Sequence, residues 1–375
     1  MSETVLTNAR LILPDHVQDG HIVIRDGMIA AIGSGPARGD DMQGDFIAPG
    51  LVELHTDNLE QHLHPRPHVE WPHAPAILAH DAELAATGIT TVFDALRVGS
   101  IPWRANYTSY ARPLSREIAA IRQAGLLRIS HHLHLRAEIC SETLVEELAE
   151  FAPDDRVRLV SLMDHTPGQR QFRDLGLTRK FVSARAGMTE AGFDIYRQRL
   201  VTLRADKGPA NEAAALDFAR RVGAVLASHD DTTSAHVAQS AAHGVALAEF
   251  PTTAEAAQSC RDHGIAIIMG APNLVRGGSH SGNVDARELA GAGLLDIVSS
   301  DYIPAALLAA AARLARLWDD LPRAMATVTA NPARAAGLDD RGRLAPGLRA
   351  DLIRFRLHEG MAVLRETHVA GKRVA

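Results

Sequence analysis

The feature that most constrains the fold of this 375-residue chain is a series of short apolar runs, most of which end in a histidine or an acidic residue. Helical patterns lie between most of them, for example at 115–124, 211–222 and 305–318. Alternating strand and helix patterns indicate parallel strands joined by crossover helices. Eight runs can be counted, the number that a closed barrel requires, so we predict an α/β fold, a TIM-like (β/α)8 barrel. The runs end near His55, Asp94, Glu138, His165, His229, Phe250, Pro272 and Asp301.

The two ends of the chain carry a different pattern. Residues 1–49 and 342–375 hold short strand-like runs that end at turn residues. We predict that both termini build one small β domain, attached to a barrel domain at 50–341. Residues 166–210 are too long and too polar for a simple connection between strand and helix, so we predict an insertion or lid over the barrel mouth.

Composition excludes several functional classes. With a formal net charge of −6, bulk electrostatics give no reason to expect binding to nucleic acid or to a membrane surface. There is no signal-peptide pattern and no run long and apolar enough to span a bilayer. Cys140 and Cys260 form neither a disulfide framework nor a CxxC motif. These features predict a protein of the reducing cytoplasm.

The residues that end the runs predict a metal site. The carboxyl ends of parallel strands in a closed barrel meet at one face. His55 and Asp57 are two positions apart, so at strand period both side chains can reach one ion. Each residue alone would be more readily structural, but together they supply the imidazole and carboxylate ligands that divalent metals accept. The predicted metal ligands are His55, Asp57, Glu138, His165, His229 and Asp301.

The third run indicates what lines the inside of the barrel. Side chains alternate across a strand, so the face that carries Leu133 and Leu135 packs against helices, and the other face is polar. A polar row inside a barrel is costly unless its groups are paired or bind a metal. A hydrogen-bonded core and metal ligation both stay open for His132 and His134, whereas Glu138 at the end of the run is predicted to be a ligand.

Several motifs resemble the amidohydrolase superfamily. They are a buried run from Pro49-Gly50 to His55, a late strand that ends in Asp301, the tripeptide at 331–333 and the segment 342–351. The resemblance covers nearly the whole chain. It implies a divalent metal that activates water, usually held by an HxH pair, a carboxylated lysine or a glutamate, two more histidines and a late aspartate.

The chain departs from that pattern in three respects. Asp57 replaces the second histidine of the pair. The only lysines are Lys180, Lys207 and Lys372. None of them ends a strand, so composition excludes a carboxylated-lysine bridge and Glu138 is the natural substitute. His165 and His229 also fall one strand earlier than usual, which indicates either a miscount or a short strand hidden in 166–210.

Longer motifs resemble the phosphonate-catabolism branch of the superfamily, the diphosphatases of the carbon–phosphorus lyase pathway. The motifs are HTDNLE at 55–60, SLMDHTPGQRQ at 161–171, SHDD at 228–231, AEFPTT at 248–253 and MGAPNLVRGGSHSGN at 269–283. This resemblance implies hydrolysis of a ribose 5-triphosphate to the 5-phosphate and pyrophosphate. It implies one or two divalent ions, with zinc first and manganese or iron as alternatives. Asp301 is then the expected catalytic residue, which orients the water and accepts its proton.

A triphosphate also needs cationic and hydrogen-bonding partners. The glycines after Arg276 allow backbone N–H groups to converge on an anion, although an ordinary turn is the alternative. The predicted substrate-binding residues are Arg66, Arg136, Arg170, Arg276, Ser279 and His280. Solvated loop positions stay open for Arg66 and Arg170.

Two other functions stay open at this point. One is hydrolysis of a C–N bond in a small cyclic amide or amine, the commoner activity of the superfamily. Fold and metal set do not separate it from a diphosphatase, because function resides in the loops, where the arginines favour phosphate. The other is a metal-free scaffold, against which the full set of histidines and acids argues. The expected partner is a phosphorylated sugar, and the sequence leaves a homo-oligomer open.

Overall fold

The predicted barrel is present as one parallel sheet of eight strands. A computed structural model describes residues 3–102, 108–173, 175–176, 178–179, 189–279 and 282–375. The barrel strands are β6 Leu51–Thr56, β7 Ile89–Val98, β8 Ser130–Glu138, β9 Val157–Met163, β10 Val225–His229, β11 Leu247–Glu249, β12 Ala266–Gly270 and β13 Ile297–Ser299. They pair in chain order, and an isolated parallel bridge between Thr56 and Asp301 joins the first strand to the end of the eighth.

The strand count determines which strands carry the predicted ligands His165 and His229. The described part of the chain holds no strand between β9 and β10, and these two strands pair directly in the barrel sheet. His165 therefore follows the fourth strand and His229 ends the fifth. The alternation in β8 is also as predicted, because Leu133 and Leu135 pack into the core outside the barrel while His134 bonds inside it.

Helices surround the barrel and begin where the sequence supplies caps. Thr233 and Thr253, for example, accept hydrogen bonds from the backbone N–H groups of His236 and Ala256. The described α-helices are Asn58–Leu63, His73–Ala86, Ala111–Gln123, Leu144–Ala149, Glu190–Val222, Ser234–Ala242, Ala254–Asp262, Ala271–Arg276, Ala286–Gly291, Ala306–Trp318, Leu321–Ala326 and Ala330–Ala335, with 3-10 turns at Pro153–Asp155 and Arg170–Phe172. None of these helices has both the length and the hydropathy needed to cross a lipid bilayer.

The helix Glu190–Val222 is longer than the pattern at 211–222 predicts. It has 33 residues and contains Pro209, a residue that normally ends or kinks a helix. Residues 190–210 of the predicted insertion are thus helical. Within the remainder of that insertion, residues 174, 177 and 180–188 lie outside the described residues, and its role as a lid stays a prediction.

The second sheet combines both ends of the chain, as predicted. Its strands are β1 Glu3–Ile12, β2 Val17–Arg25, β3 Met28–Ser34, β4 Asp40–Asp41, β5 Phe46–Pro49, β14 Leu352–His358, β15 Met361–Val369 and β16 Lys372–Arg373. The junction is the antiparallel pair β5 and β14, where the rings of Phe46 and Phe355 stack at 5.3 Å. Because β5 leads directly into β6, this sheet anchors the first strand of the barrel.

Candidate metal centre

Three of the predicted ligands converge at the carboxyl ends of the barrel strands. The rings of His55 and His229 lie nearly parallel, with centroids 5.6 Å apart. The ring of His165 meets His229 edge-on at 6.0 Å. Burial lowers the pKa of His55 and of His229 to about 3, so both rings are neutral at physiological pH. A neutral imidazole is the form that binds a metal.

Glu249, at the end of β11, lies between these rings and was not predicted. Its Oε1 is 3.0 Å from Nδ1 of His55, and its Oε2 is 3.0 Å from Nδ1 of His229. The side chain is fully buried. Sequence reasoning missed it because the apolar run was taken to end one residue later, at Phe250. That ring packs edge-on against both histidines, at 5.1 and 5.5 Å.

Asp230, which follows His229, is the second unpredicted carboxylate of the site. Its Oδ2 lies 3.4 Å from Nε2 of His229, and this buried oxygen has no hydrogen-bond partner in the described structure. The backbone has a left-handed φ of 57°, which aspartate tolerates better than most residues. Burial raises the pKa of the Asp230 carboxyl to about 6.

The residues present fit a bound cation. Among the described residues, ligand atoms of His55, His229 and Glu249 lie within 4.8 Å of one another, and so do those of His165, His229 and Asp230. A buried carboxylate oxygen without a donor is costly, and a metal ion would relieve that cost at Asp230. A neutral imidazole has one lone pair, so His229 can serve only one of the two groups at a time.

Glu138 lies outside both groups and bonds to His165. Its Oε2 is 2.8 Å from Nδ1 of His165, and its Oε1 accepts the backbone N–H of the same residue at 3.2 Å. The side chain is 1% exposed, as expected for a residue at the inner end of β8. Glu138 therefore lies beside a predicted ligand, and its own role as a ligand stays a prediction.

Asp57 also lies outside both groups, with its Oδ2 3.6 Å from Nη1 of Arg136. The Nε atom of Arg136 is buried and has no hydrogen-bond partner in the described structure. This arrangement leaves a guanidinium available to an anionic ligand.

Asp301 is anchored at the end of the eighth strand. Burial, together with the charge of Asp57, raises the pKa of the Asp301 carboxyl to about 7. The unpredicted Glu53 links this strand to the first: its carboxylate accepts the backbone N–H groups of His55 at 2.7 Å and of Ser300 at 2.5 Å. Asp301 is therefore fixed at the end of the eighth strand in a form that can gain or lose a proton near neutral pH.

His134 belongs to the hydrogen-bonded core, the first of its two alternatives. Its Nδ1 is 3.1 Å from the carbonyl of Leu54, and its Nε2 is 2.8 Å from the hydroxyl of Ser161. His132 contacts the guanidinium of Arg156 instead and lies away from the groups that could hold a metal.

The predicted substrate-binding arginines have different environments. Arg170 donates to the backbone carbonyl of His229 at 2.9 Å and to Asp231 at 2.6 Å, so its Nη1 is used within the protein. Arg66 is exposed in a turn, where it forms an isolated bridge with Val69. Of these arginines, Arg136 is the one whose charge, after burial, contributes to lowering the pKa of both His55 and His229.

In the glycine-rich loop after β12, two backbone N–H groups that we expected to be available to an anion are already bonded. The N–H groups of Gly277 and Gly278 both donate to the carbonyl of Asn273 at 3.0 Å, which ends the helix Ala271–Arg276. Arg276 is exposed and Ser279 is half-buried. His280 lies outside the described residues. The amides of these two glycines are therefore already bonded within the protein.

Known proteins share this architecture. The structure of 5-methylcytosine deaminase from Klebsiella pneumoniae is similar with a TM-score of 0.64 and 18% identity, over 99% of this chain and 98% of that one. Dihydropyrimidinase from Brevibacillus agri gives a TM-score of 0.62 and 13% identity, over 100% and 95%. A structure described as that of an amidohydrolase gives a TM-score of 0.63 and 15% identity, over 100% and 99%. At such identities the likeness shows the fold alone.

Sequence comparison shows the family to which the chain belongs. No family model matches the chain. The chain is 42% identical to the alpha-D-ribose 1-methylphosphonate 5-triphosphate diphosphatase of Escherichia coli K12 over 381 residues, which cover 99% of this chain and 100% of the relative. The chain belongs to the family of that diphosphatase.

Proposed function

We propose that this protein hydrolyses α-D-ribose 1-methylphosphonate 5-triphosphate to the 5-phosphate and pyrophosphate during phosphonate degradation. The observation that carries the proposal is the 42% identity to the Escherichia coli diphosphatase along 99% of the chain. The two buried cysteines, neither in a disulfide, suit a reducing cytoplasm.

The proposed cofactor is one or two divalent ions, zinc first, with manganese or iron as alternatives. When bound, the ion supplies a water of lowered pKa and a positive charge for a phosphoryl oxygen. His55, His165 and His229 supply the imidazoles. The carboxylates come from Asp57, Glu138, Asp230 and Asp301. Asp230 is added to the predicted ligands because of its unpartnered buried oxygen.

Asp301 is the proposed proton acceptor. A general base works best when its pKa lies near the working pH, and burial raises the pKa of this carboxyl to about 7. The Asp301 carboxylate orients the attacking water and takes its proton. The resulting nucleophile attacks the α-phosphorus, and pyrophosphate leaves.

Cationic side chains at the mouth hold the triphosphate in this proposal. Arg136 is the first candidate, because its buried Nε lacks a partner and an oxyanion can supply one. Arg276, Ser279, His280 and Arg66 contact the outer phosphates. Arg170 binds the backbone carbonyl of His229 through Nη1 and adds its charge to the site.

The decisive experiment is turnover of the ribose 5-triphosphate in ¹⁸O-labelled water. Attack at the α-phosphorus places the label in the ribose 5-phosphate product and leaves pyrophosphate unlabelled. Label in pyrophosphate would show attack at the β-phosphorus. Hydrolysis of dihydropyrimidine-like or N-acyl substrates, without release of pyrophosphate from any triphosphate, would establish C–N chemistry instead.

A further inference from the structure

Glu249 has an unusual set of neighbours for a carboxylate at the centre of a barrel. Each of its two oxygens lies 3.0 Å from Nδ1 of a different histidine, His55 on the first strand and His229 on the fifth. An ionised carboxylate only accepts hydrogen bonds, so a fully buried one needs N–H or O–H donors.

His134 cannot be one of those donors, although its Nε2 lies 3.5 Å from Oε1 of Glu249. Its Nδ1 faces the carbonyl of Leu54, which only accepts, so the ring proton is on Nδ1. Its Nε2 then accepts from the hydroxyl of Ser161. In the described part of the chain, this leaves His55 and His229 as the donors to Glu249.

This assignment has a consequence for the other nitrogen of His229. A neutral ring carries one proton and one lone pair. If Nδ1 donates to Glu249 at 3.0 Å, the lone pair is on Nε2, which faces the unpartnered Oδ2 of Asp230 at 3.4 Å. Two acceptors would then face each other, an arrangement that a cation between them relieves.

We propose that Glu249 is a positioning residue that holds both His55 and His229 in the Nδ1–H tautomer, so that their Nε2 lone pairs are available to a metal. A carboxylate behind a ligating histidine fixes the ring and its tautomer. Here one carboxylate serves two histidines from non-adjacent strands. Phe250 limits ring rotation by its edge-on contacts with the same pair. The inference rests on the proposed function only in taking a metal as the ligand of the site.

The proposal gives Glu249 a role distinct from that of a direct ligand. As a ligand it would share an ion with Nδ1 of His55 and His229, since their ligand atoms lie within 4.8 Å. Nε2 of His229 would then carry the proton. The tautomer of the two rings in the metal-free protein therefore distinguishes the two roles without any catalytic assay.

The test is nitrogen NMR of metal-free protein labelled with ¹⁵N-histidine at pH 8, with His55 and His229 assigned from His55→Gln and His229→Gln. We expect both rings of the wild-type protein to be protonated at Nδ1. An Nε2–H tautomer on either ring would overturn the proposal. This measurement needs no variant of Glu249 and no turnover, so a failure of the proposed reaction would leave it standing.

Glu249→Gln supplies the second readout. Glutamine offers one acceptor and one donor group, so only one of the two histidines can keep its bond. We expect the other to change tautomer and zinc affinity to fall about 10–100-fold in a chelator competition, with the number of ions at saturation unchanged. The matched control, Glu138→Gln, should alter the resonances of His165 and leave those of His55 and His229 in place. Loss of a bound ion at saturating zinc in Glu249→Gln would make Glu249 a ligand and overturn the proposal.

Discussion

The side-chain hydroxyl of Thr56 donates a 2.7 Å hydrogen bond to the backbone carbonyl of Asp301. Thr56 stands between His55 and Asp57, and Asp301 follows the eighth strand. The bond lies where the two strands form the bridge that joins both ends of the barrel sheet. The position of the proposed proton acceptor is therefore set by a residue of the first strand.

We expect Thr56→Val to lower both stability and turnover. Valine keeps the shape of threonine but cannot donate, so a buried carbonyl loses its partner at a cost of about 1–3 kcal/mol. The free energy of unfolding in urea and kcat for the triphosphate measure the two effects. Thr56→Ser keeps the hydroxyl and should retain most of both. Wild-type kcat in Thr56→Val would mean that this bond does not position Asp301.

We expect Glu138→Gln to lower the number of ions bound per chain. The variant keeps the size of the side chain but loses the charge that faces Nδ1 of His165 at 2.8 Å. Elemental analysis of protein purified in excess metal measures the change, with wild-type protein in parallel. Full metal content together with full rate would reduce Glu138 to a core residue and favour a mononuclear site.

We expect Arg136→Ala to lower kcat/KM for the triphosphate. The loss should correspond to about 2–4 kcal/mol of transition-state stabilisation, while metal content stays unchanged. The unpartnered Nε of this buried guanidinium is the basis for the expectation. Arg136→Lys keeps a charge but not the planar fork, so it should recover only part of the loss. An alanine variant with wild-type kcat/KM would remove Arg136 from the substrate site.

Arg276→Ala tests whether the side chain of Arg276 contacts the outer phosphates of the triphosphate. Arg276 is exposed, and the amides beside it are used to end a helix, so the contact depends on its side chain alone. We expect lower turnover of a triphosphate with unchanged zinc binding, and a smaller loss than for Arg136→Ala because an exposed charge is screened by solvent. A soaked pyrophosphate bound far from residues 276–283, with the variant fully active, would contradict this assignment.

The buried pair of His131 and Asp94 predicts a pH-dependent stability. Burial opposes the charged ring, but Asp94 and Asp81 outweigh it and raise the pKa of His131 from 6.5 to about 9. The stabilisation is therefore complete below pH 6.5 and is lost as the pH rises through 9. At most it amounts to about 3 kcal/mol.

His131→Gln reports this contribution. The difference in unfolding free energy between wild type and variant should be largest near pH 6 and should shrink toward pH 9.5. Urea unfolding at several pH values measures it, and His132→Gln, whose parent ring lies away from Asp94, is the matched control. A difference that stays constant across this range would show that His131 is neutral in the folded protein.

Periodic patterns predicted the barrel because each strand carries its own signal. In β8, alternate residues face the core and the barrel interior, so Leu133 and His134 could be assigned to opposite faces from the sequence. The ends of short strands are less well determined. The apolar run continues to Phe250, so the pattern places the strand end one residue too late. That is enough to miss Glu249, although this acid lies in the motif at 248–253.

Other parts of the structure depend on contacts that no local pattern reveals. The N–H groups of Gly277 and Gly278 looked free in the sequence, but both bond to the carbonyl of Asn273. Asp230 became a candidate ligand only once its oxygen was seen to be buried without a partner. The helix Glu190–Val222 continues through Pro209, so it begins well before the pattern at 211–222 that predicted it.

The pairing of β5 with β14 has a consequence for how the protein is made. Residues 46–49 emerge from the ribosome long before residues 352–358, which cover one edge of β5. At translation rates of about 5–20 residues per second, roughly 15 to 60 seconds separate the two events. Through that interval the backbone groups along this edge have no partner, and an open strand edge attracts other chains. The nascent protein therefore passes through a stage at which aggregation competes with completion of the sheet.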